Sequence, residues 1–295
     1  MKNFLIKLLL YTVPILLIIF TIESIYHRFP NLYSFKKAIL DIEKDKTEIL
    51  VIGPSYTFRG VDPGALSKKA FNLSFPGQSF EHDKILLDYY LEDMDNLEWV
   101  ILSVSYLDLL ANKNRISYRD IYYRKHFSPF SLNLYLEELN GMRLYRAIRD
   151  YLKTGRTQIG SDSLGFRFTK NIMSPDARFK MRYKTASKET KLNNKKLLEE
   201  MIMMCHSRDV NVILLSTPMI DRYLELTDLK PFSEIIDLCE SLDSTYSNTF
   251  YLNYIDSGKF DWIHFSEPSH LNHSGATLLT QDIDAFIRNL HLTTD

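Results

Sequence analysis

Cysteine is almost missing from this chain, with two in 295 residues. Cys205 and Cys239 have no metal-ligand spacing, which sets aside a thiolate metal site. Both fall on predicted helices and read as buried thiols, or as a disulfide if the domain lies outside the cytoplasm. Net charge is scarce too, at −1, so bulk charge implies no nucleic-acid partner. There are no internal repeats and no low-complexity runs. The i, i+4 histidine pair that reads as zinc on a helix is also missing. His264, His270 and His273 lie close together but have few acids around them, and neither a metal nor a cofactor is expected. What remains is an ordinary globular composition, 45% apolar and 25% charged. It is long enough to bury a core as one domain, or as one domain with a large insertion.

The N-terminus departs from that average. The run from Leu8 to Ile22 is uncharged and mostly apolar, and Lys2 and Lys7 precede it. From Phe4 to Ile25 the segment is about long enough to span a ~30 Å hydrocarbon core. Pro14 inside it is tolerated in a membrane helix. A cleaved signal peptide is the rival, but no small-x-small cleavage site follows the run. The leading lysines place the N-terminus in the cytoplasm and the remaining domain outside, although Lys36 and Lys37 blur that asymmetry. The expected division is a membrane anchor over 1–26, a juxtamembrane connector over 27–46 with a short helix at 33–44, and a domain over 47–295.

That domain alternates. Apolar runs at 47–53, 70–75, 99–106, 210–217 and 249–254 read as strands, and 63–69, 80–94, 188–208, 231–244 and 274–290 as helices. Nearly continuous apolar strands between helices predict a parallel sheet covered on both faces. Chemistry in such sheets sits at the carboxyl ends of the strands, where Ser55, Gly77 and the loop bearing His270 fall. The alternation breaks over 107–187, which offers one good helix at 132–153 and no clear strand. Residues 107–190 hold 17 Lys and Arg against 8 Asp and Glu, a local +9 that leaves about −10 for the rest. This basic stretch reads as a solvated surface paired with the acidic remainder, or as a layer for an anionic polymer or anionic headgroups.

Two ends of the chain carry the chemical signal. Near the C-terminus Glu267 precedes His270 by three residues, with Leu271-Asn272 and Gly275-Ala276 following. A carboxylate and an imidazole on one turn form half of a nucleophile-activating triad. The other half is sought in Ser55, at the turn after the first strand, where backbone N–H groups can face an oxyanion. A serine there can equally cap a helix. His264 reads as packing or solvent-facing, His273 as a helix start, and His82 with Asp83 as a helix surface. Arg59 reads as a structural partner or as a binder of an anionic substrate group.

Taken together, Ile49-Leu50-Val51-Ile52-Gly53-Pro54-Ser55, Asn72-Leu73-Ser74-Phe75-Pro76-Gly77-Gln78-Ser79 and Glu267-Pro268-Ser269-His270 resemble the SGNH/GDSL-type hydrolase superfamily, in its membrane-anchored extracytoplasmic branch. The resemblance covers 47–106 and 188–290 and not the insertion. It implies a flavodoxin-like three-layer α/β/α fold with a parallel five-stranded sheet and a large insertion, 107–187, after the third strand. It implies Ser55 as nucleophile, His270 as general base and Glu267 as the acid, with Asp261 as a fallback. The oxyanion hole would use the N–H groups of Ser55 and Gly77.

Three positions depart from the family pattern. Glu267 stands where Asp is usual, Pro54 replaces the Asp of Gly-Asp-Ser, and Ser103-Val104-Ser105-Tyr106 replaces a Gly-x-Asn-Asp block. Gln78, Ser105 or Tyr106 would have to supply the missing oxyanion donor, and Gln78 and Tyr106 join Arg59 as candidate substrate contacts. The implied activity is a serine esterase or O-acyltransferase handling acyl groups, acetyl above all, of a cell-surface or secreted polysaccharide. The alternative is a degenerate polymer-binding partner of a membrane acyltransferase.

Overall fold

A computed structural model of the chain describes residues 2–28, 31–110, 160–174, 186–221 and 230–294, with single positions 127, 149 and 224. The expected helix at 132–153 and the side chain of Tyr106 lie outside the described residues. The chain divides into two units, one of residues 1–35 with 116–160 and one of residues 36–115 with 161–295.

In the first unit, helix α1 (Lys2–Arg28) carries Pro14 in its interior. Thr12 and Thr21 donate their hydroxyls to the carbonyls of Leu8 and Leu17, four residues back. Phe4, Leu9, Leu10, Leu16, Leu17 and Phe20 are exposed. Side chains of this helix are described for residues 3, 4 and 6–21. Among the described residues no helix is long and apolar enough to cross a membrane.

The second unit is an α/β fold built on a parallel five-stranded sheet. Its strands are β1 (Ile49–Ile52), β2 (Ala70–Asn72), β3 (Trp99–Ser103), β4 (Asn211–Ser216) and β5 (Thr249–Asn253), in the order β2-β1-β3-β4-β5. Every residue of β1 and β3 is buried, which is why these strands read as unbroken apolar runs. One face presents Ile49, Val51, Trp99, Ile101, Ile213 and Leu215 to a core that holds Leu279, Ile283 and Ile287. Those three come from α8 (His273–Thr294) at a spacing of four, the inner stripe of an amphipathic helix. The first helix after β1, α3 (Ser55–Gly60), packs on α8.

On the other side α4 (Phe80–Tyr90) packs on α6 (Lys188–His206), and α6 on β4. Next to them α7 (Lys230–Thr245) packs on β5 and on the short α5 (Tyr106–Leu109). Cys205 and Cys239 are buried free thiols, and burial pushes the Cys205 thiol up to about 12.

The described elements differ from the sequence expectation in three places. Residues 63–69 form a single 3₁₀ turn, Pro63–Ala65, capped by Asp62. A second turn does not follow because Asp284 of α8 takes both the N–H (2.7 Å) and the hydroxyl (2.6 Å) of Ser67. The helix at 80–94 ends at Tyr90 and tightens into a 3₁₀ turn, Leu91–Asp93. His82 and Asp83 are buried, not surface. The His82 ring sits 2.9 Å from the Ser79 hydroxyl in a capping box, and Asp83 accepts from Gln78 Nε2 (2.5 Å). Burial, with the charge of Asp108 added, holds the Asp83 carboxyl well above the usual range.

Two stretches that the sequence reads as connector and as insertion pack as part of the sheet unit. Residues 36–43 of α2 (Leu32–Glu43) are the connector part. The other is 161–174, within the insertion. Its Leu164 carbonyl accepts from Asn72 on the outer edge of β2, a position an edge strand would otherwise leave open. Gly165, at φ +81, passes so close that a Cβ would lie 2.0 Å from the Asn72 carbonyl oxygen. Further along, Arg167 N–H donates to Phe58 of α3, Met173 N–H to Phe265, and Thr169 accepts from His273. This segment therefore runs across α3 and the loop that bears His270.

Candidate active site

The site starts where β1 ends. Gly53 takes φ +151, and a Cβ on it would lie 2.3 Å from Ser103 Cβ and 2.7 Å from Thr57 Oγ1. Only glycine lets β1 leave the sheet this close to the end of β3. Pro54 follows in extended conformation, and Ser55 is the first residue of α3.

Ser55 and Arg59 are four apart on α3, so they share a face. Opposite them stands a hairpin, β6 (Phe265–Glu267) and β7 (His270–Leu271), outside the main sheet. Glu267 pairs directly with His270 across it. The four side chains meet in three contacts, two of them hydrogen bonds. His270 Nε2 lies 2.7 Å from Ser55 Oγ, and Arg59 Nη1 donates to Glu267 Oε1 at 3.1 Å. With the imidazole proton on Nδ1, Nε2 accepts from the serine hydroxyl.

Glu267 Oε2 is 3.0 Å from His270 Nδ1. Nδ1 is nonetheless without an aligned hydrogen bond. The carboxylate approaches Nδ1 closely but off the N–H axis. The Tyr56 ring stacks on the imidazole at 5.3 Å and 21° and fixes its plane.

These neighbours set the charges. Burial, then the Arg59 guanidinium, lowers the His270 imidazole to about 4, with Glu267 opposing both. Partial burial works to raise the Glu267 carboxyl, but the Arg59 hydrogen bond and the charges of His270 and Arg59 outweigh it and hold it below the usual value. His270 is therefore neutral, the form a general base needs, across the whole range above about pH 4. The expected pH profile follows. The acid limb of kcat/KM falls near pH 4 rather than near the ordinary imidazole value of about 6.5. Arg59→Met removes a positive charge that disfavours the imidazolium, so the limb should move up. A profile of p-nitrophenyl acetate turnover from pH 3.5 to 8 checks both, and an unmoved limb in the variant would exclude electrostatic coupling.

The hairpin is held from three sides. Ser266 donates its hydroxyl to the carbonyls of His270 (3.2 Å) and Leu271 (3.3 Å). Ile220, after β4, donates to the Pro268 carbonyl. Asn272 donates Nδ2 to the Ile263 carbonyl at 2.6 Å, while its Oδ1 accepts from Gly275 N–H at the start of α8. Asn272 thus ties the hairpin to the helix that follows it. Its place directly before an amphipathic run was the legible sign of that cap.

The remaining candidates take other positions. Gly77, at φ +70, sits on the turn after β2. Gln78 is buried, with its amide oxygen on Phe75 N–H (2.8 Å) and its amide nitrogen on Asp83. Ser105 gives both its N–H and its hydroxyl to Asp108 Oδ2 and caps α5. Asp261 caps the turn Trp262–His264, and its N–H donates to His264 Nδ1. The His273 ring lies 4.3 Å from Phe168, with Nδ1 3.9 Å from Asp62. The described residues bring Ser55, His270, Glu267 and Arg59 together, and they engage Gln78, Ser105 and Asp261 elsewhere.

No protein-family model matches this chain, and no curated protein does. Among solved structures it is similar to a protein from Streptococcus pneumonia provisionally described as a platelet activating factor. The identity is 12% and the TM-score 0.45, over 86% of this chain and 90% of that one. It is also similar to a provisionally described acylhydrolase from Bacteroides fragilis, at 10% identity and TM-score 0.43, over 82% of this chain and 87% of that one. Likeness at this level carries no chemistry over to the chain, and any reading of the site stands on the distances within it.

Proposed function

We propose that the chain is a serine esterase or O-acyltransferase of the SGNH type, working through an acyl-enzyme on Ser55. The 2.7 Å contact between Ser55 Oγ and His270 Nε2 is the observation that carries this reading. Ser55 Oγ attacks the acyl carbonyl while His270 Nε2 takes its proton. The N–H groups of Ser55 and Gly77 receive the oxyanion. His270 returns the proton to the leaving alcohol, and the ester is now on Ser55. A second hydroxyl then gives its proton to His270 and takes the acyl group, and His270 returns that proton to Ser55 Oγ as the ester bond breaks. Water as that acceptor makes an esterase, and a sugar hydroxyl makes a transferase. Glu267 holds the tautomer with Nδ1 protonated and faces the imidazolium that forms.

The substrate reading is an acyl ester, acetyl above all, on a cell-surface or secreted polysaccharide. The basic stretch 107–190 supports it by sign of charge. In the same reading α1 anchors the chain in the cytoplasmic membrane and the sheet unit lies outside. The lysines ahead of the apolar run and the exposed apolar side chains of α1 favour that placement.

A non-catalytic partner of a membrane acyltransferase is the second reading. It is favoured by the off-axis Glu267 contact and by Ser105, whose hydroxyl is spent on Asp108. Turnover of p-nitrophenyl esters of two to eight carbons, with and without an O-deacetylated polysaccharide as acceptor, separates the readings. We expect turnover of the two-carbon ester that falls steeply with chain length. Acetylated polymer would mark the transferase and free acetate alone the esterase. No turnover of any ester by folded protein would favour the partner.

A further inference from the structure

Lys36 is fully buried, and it comes from α2, which the sequence reads as a connector. Its ammonium donates to the main-chain carbonyls of Asn72 (2.8 Å) and Ser74 (2.6 Å). It also lies over two aromatic faces, at 4.3 Å from the Phe58 centroid and 4.9 Å from Phe75. A lysine taken out of water keeps its place only where its donors and its charge are satisfied. Here carbonyls and ring faces do that. Burial pulls the amine well below the usual lysine value, and the charge of Asp162 works against the fall.

The two carbonyls have a reason to need it. Beyond β2 the chain keeps pairing along β1: Leu73 N–H donates to Val51 and Phe75 N–H to Gly53. Those donors face inward. The carbonyls of Asn72 and Ser74 therefore face the outer edge, where no sixth strand of the sheet lies among the described residues. An edge carbonyl without water or a strand must find another donor, and Lys36 supplies two.

The inner side of the same segment is tied to the nucleophile helix. Asn72 donates Nδ2 to the Thr57 carbonyl and the Val61 carbonyl, both at 2.8 Å. The Ser74 and Thr57 hydroxyls meet at 2.9 Å. Phe75 is bonded to Gly53, two residues before Ser55, and Gly77 follows two residues later. The outer edge of this segment is thus gripped by Lys36 and the inner edge by the turn that carries Ser55.

We propose that Lys36 is a positioning residue of the acyl-transfer site: it holds the 72–77 loop against the nucleophile turn and makes α2 a working part of the site. The proposal rests on the reading of Ser55 as nucleophile. Its reach is through the loop; Lys36 touches no reacting atom.

The test uses the full chain in detergent, with p-nitrophenyl acetate as substrate. A trifluoromethyl ketone serves as probe, since its adduct on Ser55 places an oxyanion in the hole. Lys36→Met keeps the stem and removes the donors. It is expected to lower kcat by about tenfold to a hundredfold, the scale of a displaced catalytic group. KM should change by less than about threefold. The ketone should bind at least about tenfold more weakly, and the acid limb of the pH profile should not move, because His270 and Glu267 are untouched. Lys36→Gln, with two donors on a shorter stem, should fall between.

A purely structural lysine would lower the melting temperature without moving ketone affinity in the protein that stays folded, and that result overturns the proposal. So does failure of both variants to fold at 25 °C, which would make the lysine a support of the whole fold. A wild type with no Ser55-dependent turnover overturns both the serine reading and this one. A wild type that turns over beside an unimpaired Lys36→Met overturns this one alone.

Discussion

Ser55→Ala and His270→Ala are each expected to reduce kcat/KM for p-nitrophenyl acetate by on the order of 10⁴-fold or more. Alanine at 55 removes the atom to which the acyl group would be attached, and alanine at 270 removes the base 2.7 Å from it. Nucleophile and base act in one step, so the double variant should be about as slow as either single one. Neither residue belongs to the five-stranded sheet or its core cluster, and a thermal melt should stay within a few degrees of wild type. Additive losses would mean that the two residues work separately. A Ser55→Ala variant with wild-type rates would place the chemistry elsewhere.

The second large effect is on the fold itself. Gly53→Ala is expected to destabilise the sheet unit by about 3 kcal/mol or more. The new Cβ would lie 2.3 Å from Ser103 Cβ, on the neighbouring strand's end, and at a φ of +151. Overpacking and an unfavourable backbone angle each cost about 1–3 kcal/mol. In a unit of this size that corresponds to a fall in melting temperature of roughly 6–12 °C.

Gly258→Ala is the control. Gly258 also has a positive φ, +65, but nothing lies within 4 Å of its would-be Cβ. Only the backbone term applies, about 1 kcal/mol. Circular dichroism melts of the two variants compare close packing with φ alone. Equal shifts would show that the contact with Ser103 carries no energy, and that β1 and β3 do not need the glycine to approach.

The strands were legible because β1, β3 and β4 are buried on both sides and read as apolar runs without a polar face. Ser55 and His270 were legible as residue types at strand exits. Their separation, 215 positions in the chain, is closed by the fold and by no local pattern. The pairing of Arg59 with Glu267 had a faint signal: a spacing of four on a helix facing a spacing of three across a hairpin turn. Neither spacing shows that Glu267 reaches the imidazole off its axis, since that depends on one methylene and the angle of a two-residue turn. The segment around Glu267 and His270 reads as a turn on a loop between the last strand and the last helix. It is a separate antiparallel hairpin, because Asn272 and Ser266 fold it back on itself.

In the sequence Lys36 reads only as charge beyond the apolar run, since a lysine in a helix is usually solvated. Yet it falls on a line with Tyr33 and Leu40, at i, i+3 and i+7, the spacing of an inward face. His82 and Asp83 were misjudged for the same reason: a capping box and a buried amide, not composition, decide their burial. Nothing in residues 161–174 announces that they cross both α3 and the hairpin. Several of their contacts are main-chain hydrogen bonds, and the close approach of Gly165 to Asn72 and of Phe168 to His273 follows no local spacing.

One measurement bears most directly on the serine reading. The full chain is treated with a fluorophosphonate probe at pH 7, with Ser55→Ala and His270→Ala beside it, and the labelled peptide is mapped by mass spectrometry. A single adduct on Ser55 is expected, lost in Ser55→Ala and strongly slowed in His270→Ala. A folded wild type that takes no label, or a label that survives in Ser55→Ala, would contradict that reading.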